Sequence, residues 1–223
     1  MTSVFGNEQT LSDDVQARRL VEAALTGDVA SVGKLLGMHS QRLKRTIALR
    51  ISPRISRRFD EDDVLQEVYL QATKHLADFL KCGDVPFFVW LRGLTLNVLL
   101  EFHRRHLDTQ MRNARREVPI SPSLDASSHV LAWQFVDSGT SPSDAVQREE
   151  WTQQLREIID GLPEVDKEIL ALRHFEQLTP AETARVLQIS DKASGMRYLR
   201  ALKRLRDGLA HAPGGLSQWQ LNS

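Results

Sequence analysis

The sequence predicts an all-α protein in two helical domains joined by a flexible linker. Three observations predict it. Apolar residues recur at helical spacing through most of the 223 residues. Strand-like alternation is confined to "HVLAWQFV" in the middle. Around that stretch, "PISPSLDASSH" and "DSGTSPSD" are rich in serine, proline and small residues, as linkers are. The expected division is residues 11–117, a linker over 118–144, and residues 145–210.

The first helix is expected from Ser12 to Gly27, a natural C-cap glycine. A second runs from about Val29 to Ile51, before Pro53. Asp60 caps a third, from about Glu61 to Leu80, with Gly83 beyond it, and Pro86 opens a fourth that extends past His106. After the linker, helix resumes near Ala145, runs to Ile159, stops at Gly161 and restarts after Pro163. "VLAWQFV" is too apolar for a plain spacer, so it docks on another surface or packs back on its own domain. The tail beyond His211 is expected to be loose.

"LTPAETARVLQIS", from Leu178, reads as a short helix, a turn and the start of another helix. Thr179 is a cap, Pro180 suits the first helical position, and Glu182 stands where a capping box wants a carboxylate. Ser190 and Asp191 give the second helix a cap and a first-turn acid. The pair is a helix-turn-helix candidate. At about 100° per residue, Tyr198, Ala201, Leu202, Leu205 and Leu209 share one stripe of that second helix. Lys192, Arg200, Lys203 and Arg204 cluster opposite, with Met196 among them. One reading is a solvated amphipathic helix. The other is a helix entering a major groove, where Lys192, Arg197 and Arg200 meet phosphates and Ala193, Ser194 and Met196 meet base edges.

Overall charge does not decide, because 29 basic residues balance 29 acidic ones. The distribution is segregated. Basic residues gather over 42–58, 104–116 and 192–206, and acidic ones over 60–67 and 137–168. A single cysteine, Cys82, excludes an internal disulfide and a cysteine-rich zinc site. No apolar run is long enough to cross a bilayer, and the first residues do not read as a secretory signal, so a cytoplasmic protein without membrane insertion is expected. No HExxH, phosphate-binding glycine loop or nucleophile elbow is present, and His103 with His106 is an isolated pair among arginines. Hence no enzyme, no cofactor and no metal are expected.

In the third helix Val64, Leu65, Val68, Ala72, Leu76 and Phe79 form the apolar stripe, leaving Asp63, Gln66, Glu67 and Leu70 opposite. That face is either an ordinary acidic surface or a docking surface for a basic partner, with Leu70 as the apolar anchor. In the fourth helix Phe88, Leu91, Thr95, Val98, Leu99 and Phe102 line one side. Trp90, Asn97 and Arg104 follow one another at two-turn intervals on another. That ridge either stacks on an unpaired base and holds its phosphate, or places Trp90 against a neighbouring helix. His103, Arg105, His106, Arg112, Arg115 and Arg116 extend its cationic path.

The chain resembles the extracytoplasmic-function sigma factors, small two-domain members of the sigma-70 family. "DEDDVLQEVYLQATKHLADF" is similar to region 2.2 of that family and "PFFVWLRGLTLNVLLEFHRRH" to regions 2.3 and 2.4. The stretch from "LPEVDKEILALRHFEQL" through "ISDKASGMRYLRALKRLR" is similar to region 4. The resemblance runs from about Leu11 to Leu209. It implies a promoter-specificity subunit whose partners are core RNA polymerase (β′ clamp helices and β flap), promoter DNA and, in some members, an anti-sigma factor.

It also implies site residues. Polymerase would be bound by Asp62, Asp63, Gln66, Glu67 and Leu70. Melted minus-ten DNA would be held by Phe79, Lys81, Trp90, Asn97, Arg104 and Arg105, with the loop from Leu80 to Val85 capturing a flipped base. The minus-thirty-five duplex would be read by Lys192, Ser194, Met196, Arg197, Arg200, Lys203 and Arg204. Two departures stand out: that loop is longer than the common form, and Ser194 and Gly195 replace a β-branched and a polar residue. The alternative reading is a helix-turn-helix regulator with an N-terminal dimerisation or sensing module.

Overall fold

A computed structural model of the chain describes residues 3–51, 59–111 and 145–212. Their regular structure is helical: α1 (Ser3–Leu25), α2 (Val29–Arg50), α3 (Glu61–Lys81) and α4 (Phe87–Met111) form the N-terminal half. The C-terminal half comprises α5 (Ala145–Asp160), α6 (Glu164–Leu170, continued by a π-helical turn, Ala171–Phe175), α7 (Pro180–Leu187) and α8 (Asp191–His211). The linker expected over 118–144, "VLAWQFV" included, lies outside the described residues, as do Arg112, Arg115 and Arg116.

Several helix starts and turns are fixed by their own residues. Asp28 caps α2, its carboxylate accepting from Ala30 N at 3.0 Å. Asp60 and Asp63 form a reciprocal capping box at the start of α3, with N–O distances of 2.8 and 3.1 Å. Gly27 and Gly83 take positive φ, 102° and 65°, at the turns after α1 and α3, a conformation costly for other residues. The expected start of α1 at Ser12 is corrected: the helix begins at Ser3. The intervening residues include no proline, and a single Gly6 costs a helix only about 1 kcal/mol.

The N-terminal core is built from Val21 of α1, Leu35, Leu43 and Ile47 of α2, Val68, Leu76 and Phe79 of α3, and Phe87, Phe88, Leu91 and Leu99 of α4. Each such side chain contributes about 1.5–3 kcal/mol by leaving water. The C-terminal core joins Leu155 and Ile159 of α5, Ile169 of α6, Phe175 of the π turn, and Ala201, Leu205 and Leu209 of α8.

The two cores interlock. Leu172 and Leu178 of the C-terminal half are buried in the N-terminal core, and Leu49 of α2 is buried in the C-terminal one. A charged cluster accompanies this exchange. Glu176, fully buried, receives two hydrogen bonds from Arg92, Nε to Oε2 at 2.5 Å and Nη2 to Oε1 at 3.0 Å. Arg50 Nη2 donates to the same Oε1 at 2.8 Å and to Glu168 Oε1 at 2.8 Å. Thr46 Oγ1 lies 3.0 Å from Oε2. Nearby, Arg42 Nη2 donates to Glu182 Oε2 at 2.8 Å, and the Arg42 guanidinium covers the Phe88 ring at 3.5 Å.

Candidate nucleic-acid interface

The helix-turn-helix forms as its residues dictate. Thr179 Oγ1 accepts from Glu182 N at 3.2 Å, and the Glu182 carboxylate accepts from Thr179 N at 2.7 Å, completing the capping box. Gln188 ends α7 in the left-handed region, φ 54°. Ser190 caps α8, accepting from Ala193 N at 3.2 Å.

On α8, Lys192, Arg200 and Lys203 are exposed, together with Met196 at 52% and Leu199 at 60%. Arg197 is half-buried. Cations and apolar side chains thus alternate on one free face, a surface suited to phosphates and to base edges carrying methyl groups. Leu199 is a member of this face that the sequence reading passed over. Two expected contacts are revised. Ser194 is buried, 1% exposed, because it faces the core side of α8, so it is no base reader. Arg204 pairs with the buried Asp166 of α6, which commits its guanidinium to the fold.

Tyr198 joins the inner side of α8 to the π turn, its Oη 2.8 Å from Nε2 of His174. Burial, and then the neighbouring Arg173, push the His174 imidazole below its ordinary pKa.

On the N-terminal half the ridge of α4 is only partly available. Asn97, Arg104 and Arg105 are exposed, Arg105 pairing with Glu101. Trp90 is half-buried, with its ring 5.6 Å from Phe79 and 5.5 Å from Phe87. Phe79 is completely buried in that aromatic cluster, so the expectation that it touches DNA is corrected: its ring is core. Lys81 is exposed and paired with Asp78 at 2.8 Å.

The loop between α3 and α4 is braced by α1, a feature not anticipated from sequence. Arg18 donates to the Gly83 carbonyl and lies over the Phe79 ring at 5.1 Å, and Asp14 Oδ1 accepts from Phe87 N at 3.0 Å. Burial raises the Asp14 pKa and the Phe87 hydrogen bond opposes it.

The acidic face of α3 is in place: Asp62, Asp63 and Gln66 are exposed, Glu67 half-buried, and Leu70 is 52% exposed. Several of its carboxylates are already engaged, Asp62 with Lys44 at 2.6 Å, Asp63 in the capping box and Glu67 with Gln71 at 2.8 Å.

Residues 152–205, from within α5 to within α8, match the family "Sigma-70, region 4". The ECF RNA polymerase sigma factor BldN of Streptomyces coelicolor is 25% identical over 194 residues, covering 87% of this chain and 66% of its own length. The ECF RNA polymerase sigma-E factor of Escherichia coli is 24% identical over 196 residues, covering 86% of this chain and 93% of the relative. The chain is thus similar to extracytoplasmic-function RNA polymerase sigma factors over most of its length, and to the sigma-70 family at its region 4. Its fold is similar to that of CnrH, solved in complex with the cytosolic domain of CnrY, with a TM-score of 0.52 at 22% identity over 88% of this chain and 99% of that one. The region 4 match coincides with the helix-turn-helix whose α8 face is uncovered among the described residues.

No helix among the described residues is long and apolar enough to cross a membrane.

Proposed function

We propose that the chain is a sigma factor that binds core RNA polymerase, directs it to promoters and takes part in opening them, without bond chemistry of its own. The observation that carries the reading is α8: a capped recognition helix, within the region 4 match, presenting Lys192, Met196, Arg200 and Lys203 to solvent. Arg197 flanks that face, and together these residues read the minus-thirty-five duplex. Asn97, Arg104, Arg105 and Lys81, with the α1-braced loop, hold melted minus-ten DNA, and Trp90 shapes the floor beside them. Asp62, Gln66, Glu67 and Leu70 of α3 dock on the polymerase, with Asp63 holding the helix start. The protein works in the cytoplasm. An inhibitory protein of the anti-sigma kind is a further partner, consistent with the similar CnrH being seen with the cytosolic domain of CnrY.

Run-off transcription with core polymerase on genomic fragments tests this reading. Defined transcripts that depend on the added chain are expected. Tight binding of the chain alone to duplex DNA, unaffected by core enzyme in a gel shift, would instead favour a helix-turn-helix regulator.

A further inference from the structure

Thr46, Arg50 and Arg92 make a carboxylate-binding site on the N-terminal half, and the C-terminal half fills it with Glu176. The site is built rather than incidental. Both arginine side chains are 6% exposed, and each reaches the same carboxylate from a different helix. The bidentate approach of Arg92 fixes the angle as well as the distance. On the other side, the π turn ends with Glu176 N bonded to Ala171 O at 3.0 Å, and Gln177 follows at φ 52°, so the backbone leaves the site as soon as the carboxylate is delivered.

We propose that the free protein rests in this closed form, with Glu176 as an intramolecular latch that must leave the Thr46–Arg50–Arg92 site before both promoter elements can be bound. The second clause rests on the sigma-factor reading; the first does not. Elements centred near minus ten and minus thirty-five lie roughly 85 Å apart along a duplex, at about 3.4 Å per base pair. In the closed form Glu176 touches α4 itself, little more than a helical turn from Asn97. Packed helices lie only about 8–10 Å apart, so the two halves cannot reach both elements while latched. The chain between Met111 and Ala145 does not limit the separation, since fully extended it reaches on the order of 110 Å.

The chemistry suits a reversible latch. An ion cluster that is fully paired when buried and hydrated when exposed contributes little net stability compared with an apolar contact of equal size. Removing one partner is different, because the remaining charges stay buried and uncompensated. The charged part of the interface is therefore strict about its geometry yet contributes little against separation, and what opening must offset is the exposure of Leu49, Leu172 and Leu178.

Energy transfer between dyes at Glu22→Cys on α1 and Asp207→Cys on α8, in a Cys82→Ser background, reads the latch without polymerase. High transfer is expected. Glu176→Gln should shift the closed-to-open ratio by on the order of a hundredfold toward open. Arg42→Ala, which removes the part-exposed partner of Glu182, should give a smaller, roughly tenfold shift and carries the test should Glu176→Gln lose helical signal. Low transfer in the parent, or unchanged transfer in a helical Glu176→Gln, overturns the latch. Adding core polymerase should open the parent. Persistent high transfer while transcription proceeds overturns the need to open, whereas no association with polymerase overturns the sigma-factor reading and leaves the latch standing.

Discussion

The carboxylate of Asp14 accepts the backbone N–H of Phe87 at 3.0 Å, so α1 supplies the cap that α4 does not carry in its own sequence. Pro86 has no N–H to offer, which leaves Phe87 among the first donors of α4 needing a partner. Asp14→Ala should therefore cost about 1 kcal/mol of stability, the usual loss for a cap. With Arg18→Ala it should also alter which minus-ten base is preferred in open-complex assays. Unchanged base preference in both variants would separate the brace from the site.

Arg200 and Arg204 should respond oppositely to substitution. Arg200→Ala should leave the melting temperature unchanged while weakening promoter binding by the polymerase complex and reducing its salt slope by about one. Arg204→Ala leaves the 2%-exposed Asp166 without its cation, and should destabilise the chain by about 1–3 kcal/mol. Thermal melts and salt titrations on the two variants distinguish them.

Docking on polymerase is best tested away from Asp63, whose loss also removes a capping box. Gln66→Arg and Leu70→Asp change exposed side chains only, and should reduce co-purification with core enzyme at least tenfold at unchanged stability, as losing a central interface contact does. Asp63→Ala should lower both. Normal co-purification of Leu70→Asp would move the contact off this face.

Acid should weaken the fold before the carboxylates titrate. His39 is buried between Phe87 and Phe88, ring centroids 5.3 and 5.8 Å away, with no hydrogen-bond partner for Nε2 among the described residues. Burial, and then Arg42, hold its pKa down at about 4, against 6.5 in the unfolded chain. The folded protein thus binds fewer protons between those values, and the stability present above 6.5 is lost as pH falls toward 4, on the order of 3 kcal/mol in all. Glu176 adds a second loss further down. Burial alone would raise its carboxyl, but Arg92 and Arg50 prevail and hold it at about 2, so its contribution drains below the ordinary carboxylate range. Denaturant melts across this range check the profile, and His39→Leu should flatten its upper part.

Gly208 faces α5 so closely that a Cβ there would stand 2.6 Å from Ile158 Cγ2. Gly208→Ala should lower stability by about 1–3 kcal/mol despite the better helix propensity of alanine. The double variant with Ile158→Ala should relieve the overlap, which melting temperatures would show.

Helices with strong ends were legible from the sequence: the Thr179–Glu182 box, the Ser190 cap and the Asp60 cap all form, while the reciprocal bond from Asp60 N to Asp63 was not foreseen. The free face of α8 was legible for the same reason, since a stripe of leucines fixes what lies opposite. Contacts between the halves were not, because they depend on how two finished bundles meet. A hint was present in the spacing. Arg92 falls on the same stripe as Phe88, Leu91, Thr95 and Leu99, and Arg50 on that of Leu43, Thr46 and Ile47, positions where an unpaired charge would be costly. Phe79 shows the converse: its place in the apolar stripe of α3 was the better guide, and the family-based expectation of a DNA contact gave way to it.

The π turn at Ala171–Phe175 holds one residue more than an α-helix of the same height. Because the surplus residue is taken up within that turn, a one-residue deletion there restores ordinary winding with Glu176 still facing both guanidinium groups. A second deletion has no such reserve and would turn Glu176 by about 100° away from them, making the length of this short segment as consequential as its composition.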